Sequence, residues 1–183
     1  MARANRMATP GDMIRSLAVI LIPLVVLTVL FTNLPDDKPV TDVQWQPVLA
    51  VARRDAPFPV LAPTNLPKGW RATQAEWVRT GEPFRSGEAS VRNQWSLGVL
   101  TADDVFIGLD QGDIQPDDLV DEQSRKGTPD GRSSVNGQAW ERLVSPDGRT
   151  RSLVRREPAM TAIVSGDLGY DDLEAYTATL ATG

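Results

Sequence analysis

The chain has 183 residues and a formal net charge of −5, from 19 basic and 24 acidic side chains. It contains no histidine and no cysteine, which excludes a Ser-His-Asp triad, a Cys-His pair, a standard zinc site and any disulfide framework. The acidic balance argues against a nucleic-acid partner, because phosphates would be repelled. We therefore expect no metal, no cofactor and no nucleic acid, and a domain that is stabilised by its core alone.

An uncharged, strongly apolar segment of 18 residues covers positions 17–34. As a helix it would be about 27 Å long, close to the roughly 30 Å hydrocarbon thickness of a bilayer. No small-residue cleavage site follows the segment directly, and the chain has no cysteine that could be acylated. We therefore predict an uncleaved single-pass transmembrane anchor at 17–34, rather than a signal peptide or a buried core helix.

The charges that flank this segment predict its orientation. Arg3, Arg6 and Arg15 precede it, whereas acidic residues dominate directly after it. Basic residues favour the cytoplasmic side of a membrane. We predict that residues 1–16 form a cytoplasmic N-terminus at the cell membrane and that the C-terminal part is extracytoplasmic.

The part after the anchor is predicted to contain a linker with a short helix at 35–57 and an extracytoplasmic α+β domain at 58–183. Pro47 suits the first turn of that helix, and Pro57 stops it. The proline-rich lead-in at 58–70 is predicted to be extended rather than helical.

Alternating apolar residues predict strands from Trp70 onward. The predicted elements are, in chain order, strands at 70–79, 93–101 and 105–111, a helix at 115–127, a hairpin at 133–144, strands at 151–157 and 159–166, and a helix at 170–181. Asn136–Gly137 is a strong signal for a two-residue hairpin turn. The sequence PDGR, at 129–132 and again at 146–149, predicts a turn at both places.

This order of elements predicts an α+β fold, in which an antiparallel β-sheet carries helices packed on one face. A more closed curl of the same strands is the alternative. Each half of the domain can be written as three strands followed by a helix. An internal duplication therefore stays open as a hypothesis, although no residue-by-residue match supports it.

Paired carboxylates are the residues best suited to acid/base chemistry, but their positions favour structural roles. Catalysis needs two carboxyls that converge in one pocket. These pairs fall in a turn or at helix beginnings and faces: Asp103–Asp104, Asp117–Asp118, Asp121–Glu122 and Asp171–Asp172. The oxygen-rich stretch 110–118 lacks the register of a calcium loop. Arg155 and Arg156 could bind an anion, but Glu157 beside them favours an exposed ion pair. We predict no catalytic residue and no enzymatic activity.

Four tryptophans fall in or beside the predicted strands, namely Trp70, Trp77, Trp95 and Trp140. An aromatic row of this kind could stack against a glycan, a peptide or another small ligand, but such residues also form the core of a small sheet domain. Two or more exposed rings in one groove would favour the ligand, whereas burial of all of them would favour the core.

Several motifs carry a resemblance to a known family. They are the lead-in FPVLAPTNLPKGW, the strand WSLGVLT, the hairpin VNGQAWERL and the final SGDLGYDDLEAYTATL, all after a basic N-terminus and one anchor. With these motifs the chain resembles the actinobacterial single-pass membrane proteins classed as domain of unknown function 4245. Phe58 and Gly169 are mild departures from the pattern. The resemblance implies a membrane-tethered exported domain of a high-GC Gram-positive bacterium and implies no activity.

We therefore expect a non-enzymatic, membrane-anchored extracytoplasmic module that binds another protein of the cell envelope. The alternative is a binder of a small ligand or a cell-wall fragment through the strand tryptophans. A hydrolase that uses carboxylates alone is a third hypothesis, which requires two carboxyls within reach of each other in a cleft.

Overall fold

The computed structural model describes residues 17, 19–25, 42–85 and 87–182. Residues 17 and 19–25 are helical. Within the part of the chain that is described, we find no helix that combines the length and the apolar character needed to cross a membrane. Most of the predicted anchor at 17–34, the N-terminus at 1–16 and the start of the linker lie outside the described residues. Residues 42–85 and 87–182 belong to one compact unit.

This unit is an α+β domain with two antiparallel sheets. Its helices are α1 (Gln46–Asp55), α2 (Pro116–Gln123) and α3 (Tyr170–Ala178). Its strands are β1 (Leu61–Pro63), β2 (Arg71–Val78), β3 (Gln94–Leu100), β4 (Phe106–Gly112), β5 (Thr128–Val135), β6 (Gln138–Val144), β7 (Arg151–Glu157), β8 (Met160–Gly166) and β9 (Leu180–Thr182).

Seven strands form the main sheet in the order β2-β3-β4-β8-β7-β6-β5, and β1 pairs with β9 in a separate two-stranded sheet. A three-stranded meander therefore meets a four-stranded one where β4 lies beside β8. The two halves differ in strand number, because β5 has no counterpart in the first half. β2 and β5 are the two ends of the main sheet.

The two faces of the main sheet are covered by different elements. The inner face carries the larger core, in which Trp95 and Leu109 pack with Leu49 of α1 and Leu173 of α3. The outer face carries a smaller core, in which Leu119 of α2 packs on strand residues that include Ile163. The prediction that the helices pack on one face is therefore wrong for α2.

The physical reason lies in the central strand β8. All seven of its residues are buried, and Ala162 and Val164 face the inner core while Ile163 between them faces the outer one. Alternate residues of a strand point to opposite faces. Because β8 has apolar residues on both faces, both faces of the sheet must be shielded from water. Helix α2 packs on the outer face and shields Ile163.

Three local predictions are confirmed and three are corrected. Asn136 and Gly137 adopt φ values of 50° and 74° in the hairpin turn between β5 and β6, as predicted. Helix α1 and the β3–β4 hairpin are also confirmed.

The first PDGR, at 129–132, is a bulge within β5 rather than a turn, and α3 ends at Ala178 because the following residues pair with β1. Helix α2 ends at Gln123, short of its predicted end.

The extended lead-in crosses the inner face of the main sheet and is held there by two side chains. Gln111 is fully buried; its Oε1 accepts from the backbone N–H of Leu61 at 2.7 Å, and its Nε2 donates to the carbonyl of Pro59 at 3.2 Å. The Trp95 indole N–H donates to the Leu61 carbonyl at 3.0 Å. Buried backbone groups need partners, and here strand side chains provide them.

We predict that Gln111→Leu lowers the free energy of unfolding by about 2–4 kcal/mol, since it leaves the buried backbone N–H of Leu61 and the part-buried carbonyl of Pro59 without their partner. Gln138→Leu, at an exposed position of β6, is the matched control and should change it by less than about 0.5 kcal/mol. Urea unfolding of both variants measures the difference. Equal effects would contradict the role assigned to the Gln111 amide.

We also predict that Gly166→Ala is destabilising by about 1–3 kcal/mol, because a β-carbon there would lie 2.9 Å from the backbone oxygen of Phe106. The main sheet would have to shift at the contact between β4 and β8. Gly169→Ala is the control, since its β-carbon would meet nothing closer than 3.7 Å. Thermal unfolding should separate the two variants, and similar melting temperatures would argue against the close approach.

Candidate functional site

A cleft of about 410 Å³ lies where the last strand passes over the inner face of the main sheet. We call it the terminal-strand cleft. Its apolar lining includes Leu61, Val135 and Leu180, and its polar lining includes Asn136, Gln138 and Thr182. Trp140, Arg155 and Glu157 also line it. The cleft thus combines apolar contacts with several hydrogen-bonding side chains.

Arg155 supplies the positive charge of this cleft. Its guanidinium carbon lies 5.1 Å from the centre of the Trp140 ring, in a cation–π contact. Its Nε lies 3.1 Å from Oε1 of Glu157, but the geometry of this ion pair is not that of a hydrogen bond, and Nε has no hydrogen-bond partner in the described part of the chain. A carboxylate from outside could therefore use donors that the protein leaves free.

The neighbouring arginine serves a different purpose. Arg156 points to the outer face, where its Nη1 donates to Oε2 of Glu141 at 2.6 Å. The two arginines predicted as an anion site are therefore separated by the alternation of β7. Arg156 therefore forms an ion pair on the outer face, whereas Arg155 lines the terminal-strand cleft.

Strand β9 borders the same cleft and has an open edge. Its three residues, Leu180–Thr182, pair only with β1 among the strands that the structure describes. The Asn136 side chain donates to the carbonyl of Ala178 at 2.9 Å and ties the hairpin turn to the end of α3. Sequence reasoning missed β9 because the helical pattern continues through these residues.

The predicted tryptophans are not gathered in one groove. Trp95 is 0% and Trp140 2% exposed, so neither offers a free ring face. Trp77 is half-buried and lies edge-on to Phe58, with the ring centres 6.1 Å apart. Trp70 is half-buried and stacks on Tyr176 at 5.7 Å. All four rings contribute to the larger core or pack against it.

A second and larger cleft of about 690 Å³ lies at the start of the described part of the α+β domain, beside Asp42. Trp45, Leu66, Trp70 and Arg71 are among its lining residues. Trp45 is 7% exposed, and Arg71 is paired with Asp104 at 2.6 Å. The cleft therefore presents one half-buried tryptophan and a neutralised arginine.

The paired carboxylates are exposed and do not converge. Asp103 and Asp104 lie in the β3–β4 turn, and the other pairs lie along helices α2 and α3. Over the residues that are described, no three groups of the metal-binding types come together. Two of them form surface ion pairs, Asp104 with Arg71 and Asp117 with Arg156.

One carboxylate that sequence reasoning did not single out is buried. Asp110 of β4 is 4% exposed on the outer face. Its Oδ1 accepts from Ser96 Oγ at 2.5 Å and from Gln94 Nε2 at 3.3 Å, and Nη2 of Arg85 lies 4.0 Å away. Burial raises the pKa of Asp110, although the Ser96 hydrogen bond and the Arg85 charge oppose the shift. Its place in the strand alternation was the only available signal.

We predict that the stability difference between wild type and Asp110→Asn depends on pH. Because the pKa of Asp110 is raised in the folded chain, the folded state takes up this proton at higher pH than the unfolded state does. Wild type should therefore gain stability relative to the variant as the pH falls from neutral, by about 1.4 kcal/mol for each pKa unit of the shift. Urea unfolding from about pH 8 to pH 4 measures it, and a difference that stays constant would contradict the raised pKa.

Comparisons with known proteins give a family and distant structural likenesses. No curated protein matches the chain. The crystal structure of MucB in complex with MucA(peri) is similar over 67% of this chain and 36% of that one, with 12% identity and a TM-score of 0.38. The chain therefore spans about a third of that protein's length, and a likeness of this size carries no functional argument.

The family comparison covers nearly the whole chain. The family model described as "Protein of unknown function (DUF4245)" matches residues 6–180. The matched range includes the lead-in, the β3–β4 and β5–β6 hairpins and helix α3. The chain belongs to this family, the proteins with domain of unknown function 4245.

Proposed function

We propose that this protein is a membrane-anchored, non-enzymatic module of the cell envelope, which binds a short extended segment of a partner protein in the terminal-strand cleft. The observation that carries the proposal is the combination of an open strand edge at β9 with the Arg155 guanidinium in one cleft. The open edge offers main-chain hydrogen bonds, and the guanidinium offers recognition of one acidic side chain.

The strand edge suits an extended partner. A peptide that adds a strand to an exposed edge gains affinity from main-chain hydrogen bonds and specificity from pockets for alternate side chains. Strand β9 has only three residues, Leu180–Thr182, so the partner segment would be about as short. Leu61 and Val135 line the cleft and provide apolar contact on either side of such a segment.

The charge of the cleft selects an acidic side chain in the partner. Arg155 is held over Trp140, and its acidic neighbour Glu157 has a side chain that is 38% exposed, whereas that of Arg155 is 16% exposed. An ion pair in which one partner stays partly hydrated contributes less to stability than one in which both partners are buried. A partner carboxylate that reaches Arg155 in the less exposed cleft can therefore replace Glu157 as its ion-pair partner.

The absence of enzymatic activity is part of the proposal. The chain contains no histidine and no cysteine, and Glu157 is the one carboxylate among the lining residues of the terminal-strand cleft that the structure describes. A hydrolase that uses carboxylates alone needs two of them. Binding of a peptide segment requires no histidine, no cysteine and no second carboxylate.

The membrane location is proposed from the sequence. The apolar segment at 17–34 and the arginines before it support a single-pass anchor with a cytoplasmic N-terminus and an extracytoplasmic domain. A tether of this kind raises the effective concentration of the domain near a membrane partner. A short binding segment of modest affinity is then sufficient.

The small-ligand alternative has less support. It requires two exposed ring faces in one groove, whereas Trp95 and Trp140 are buried and Trp70 and Trp77 are half-buried in different surroundings. We therefore place recognition at the strand edge and at Arg155 rather than on a tryptophan row.

Crosslinked co-purification from membranes tests the proposal. We expect wild type to recover a discrete partner, and Arg155→Met to recover about tenfold less of it, because a charge-assisted hydrogen bond is lost. Arg156→Met changes the adjacent outer-face arginine and is the matched control, with recovery close to wild type. Thermal unfolding of both variants checks that the domain remains folded.

The same experiment with residues 1–35 replaced by an unrelated anchor locates the interface. Recovery of the same partner with the replaced anchor supports binding by the exported domain. A partner that is recovered only with the native anchor, or recovered equally by both arginine variants, contradicts the proposed cleft.

A further inference from the structure

Arg92 is an arginine that the described chain buries without a partner. It is 5% exposed, and its Nη1 is shielded from solvent and has no hydrogen-bond partner among the described residues. Arg92 also takes part in none of the ion pairs within 4.0 Å that these residues form. A buried charge without a partner is costly, so its retention calls for a physical reason.

The surrounding structure makes room for this side chain. A β-carbon at Gly112 of β4 would lie 2.9 Å from Cδ of Arg92 and 3.3 Å from a methyl group of Leu119. The glycine therefore lets the arginine lie flat on the outer face, between β4 and α2. The Ser90 hydroxyl donates to the Arg92 carbonyl at 2.6 Å and fixes the backbone. These contacts position the stem of the side chain and leave its charged end without a partner.

A cleft of about 190 Å³ lies at this position. We call it the Arg92 cleft; Phe84, Val91, Arg92, Gln94 and the carboxylates of Glu88 and Glu122 are among its lining residues. Its volume equals that of about six water molecules at about 30 Å³ each. A molecule of five or six non-hydrogen atoms, such as glycine or alanine, has this size.

The charges of the cleft are complementary to a zwitterion. The arginine can bind a carboxylate through two parallel N–H donors. The two glutamates would repel a phosphate, which carries more negative charge, but would attract an ammonium group. Phe84 and Val91 are suited to contact a small apolar side chain. A free amino acid offers these three features together.

We propose that the Arg92 cleft binds a small free amino acid, with its carboxylate on Arg92 and its ammonium group facing Glu122. This site lies on the outer face, near α2, and shares no lining residue with the terminal-strand cleft. Binding of an amino acid is a second activity, independent of the partner segment at Arg155.

The test uses the full-length protein with glycine and L-alanine as probes, and with acetate and methylammonium as half-ligands. Titration is followed by NMR at the backbone amide of Gly112 and the side-chain amide of Gln94, and by calorimetry. We expect saturable binding of glycine or alanine, with at least tenfold weaker binding of acetate and of methylammonium. Shifts at Gly112 and Gln94 place the ligand in the cleft.

Variants separate the two charges of the ligand. Arg92→Met should abolish binding, and Arg92→Lys, which keeps the charge but loses the planar fork, should weaken it at least tenfold. Glu122→Gln should weaken the binding of glycine severalfold and leave the binding of acetate unchanged. Arg132→Met, at an exposed position of β5, is the control and should bind like wild type.

The ligand-free melting temperature gives a second readout. If Arg92 has no internal partner, Arg92→Met should not lower it, and glycine should raise the melting temperature of wild type but not that of the variant. No saturable binding of either amino acid, equal binding by Arg92→Met, or acetate binding as tightly as glycine would overturn the proposal. A large loss of ligand-free stability in Arg92→Met would also overturn it, because it would reveal a structural partner for the arginine.

Discussion

The clamp formed by Gln111 and Trp95 on the lead-in is the interaction on which the rest of the domain depends. An extended chain that crosses a buried sheet face has backbone groups that no neighbouring strand can satisfy. Here the two side chains satisfy three of them, at Pro59 and Leu61. The clamp places β1, β1 pairs with β9, and β9 forms the edge of the terminal-strand cleft. A buried glutamine thus links the core of the sheet to the proposed binding site.

Local features of this chain could be predicted from its sequence, whereas features decided by distant partners could not. The Asn136–Gly137 turn and helix α1 follow from residues within a few positions, because glycine and proline restrict the backbone directly. The bulge at the first PDGR depends on pairing of β5 with β6. The early end of α3 depends on pairing of β9 with β1, more than a hundred residues away in the chain.

The same distinction applies to the candidate sites. The sequence pointed to Arg155 as a possible anion ligand, but its separation from Arg156 follows from the strand alternation of β7. Asp110 had only its place in the strand alternation as a sequence signal, and Arg92 had none, because a lone charged residue is normally exposed. Both residues are buried on the outer face of the sheet, near α2. The prediction that all helices pack on one face left that outer face exposed to solvent, so it gave no reason to expect burial there. Arg155 is paired with Glu157, whereas the described residues place no ion-pair partner within 4.0 Å of Arg92, so the two arginines indicate two different ligands.

In the proposed complex, a partner segment lies along β9 in the terminal-strand cleft. The most direct measurement places a photo-crosslinking residue at Gln138, whose side chain lines that cleft, and separately at Ala139, which lines the opposite face of β6. Both positions are exposed and adjacent in the chain. We expect position 138 to crosslink a discrete protein in membranes and position 139 not to crosslink it. Equal crosslinking from both positions, or crosslinking from position 139 alone, would contradict binding of the partner along β9.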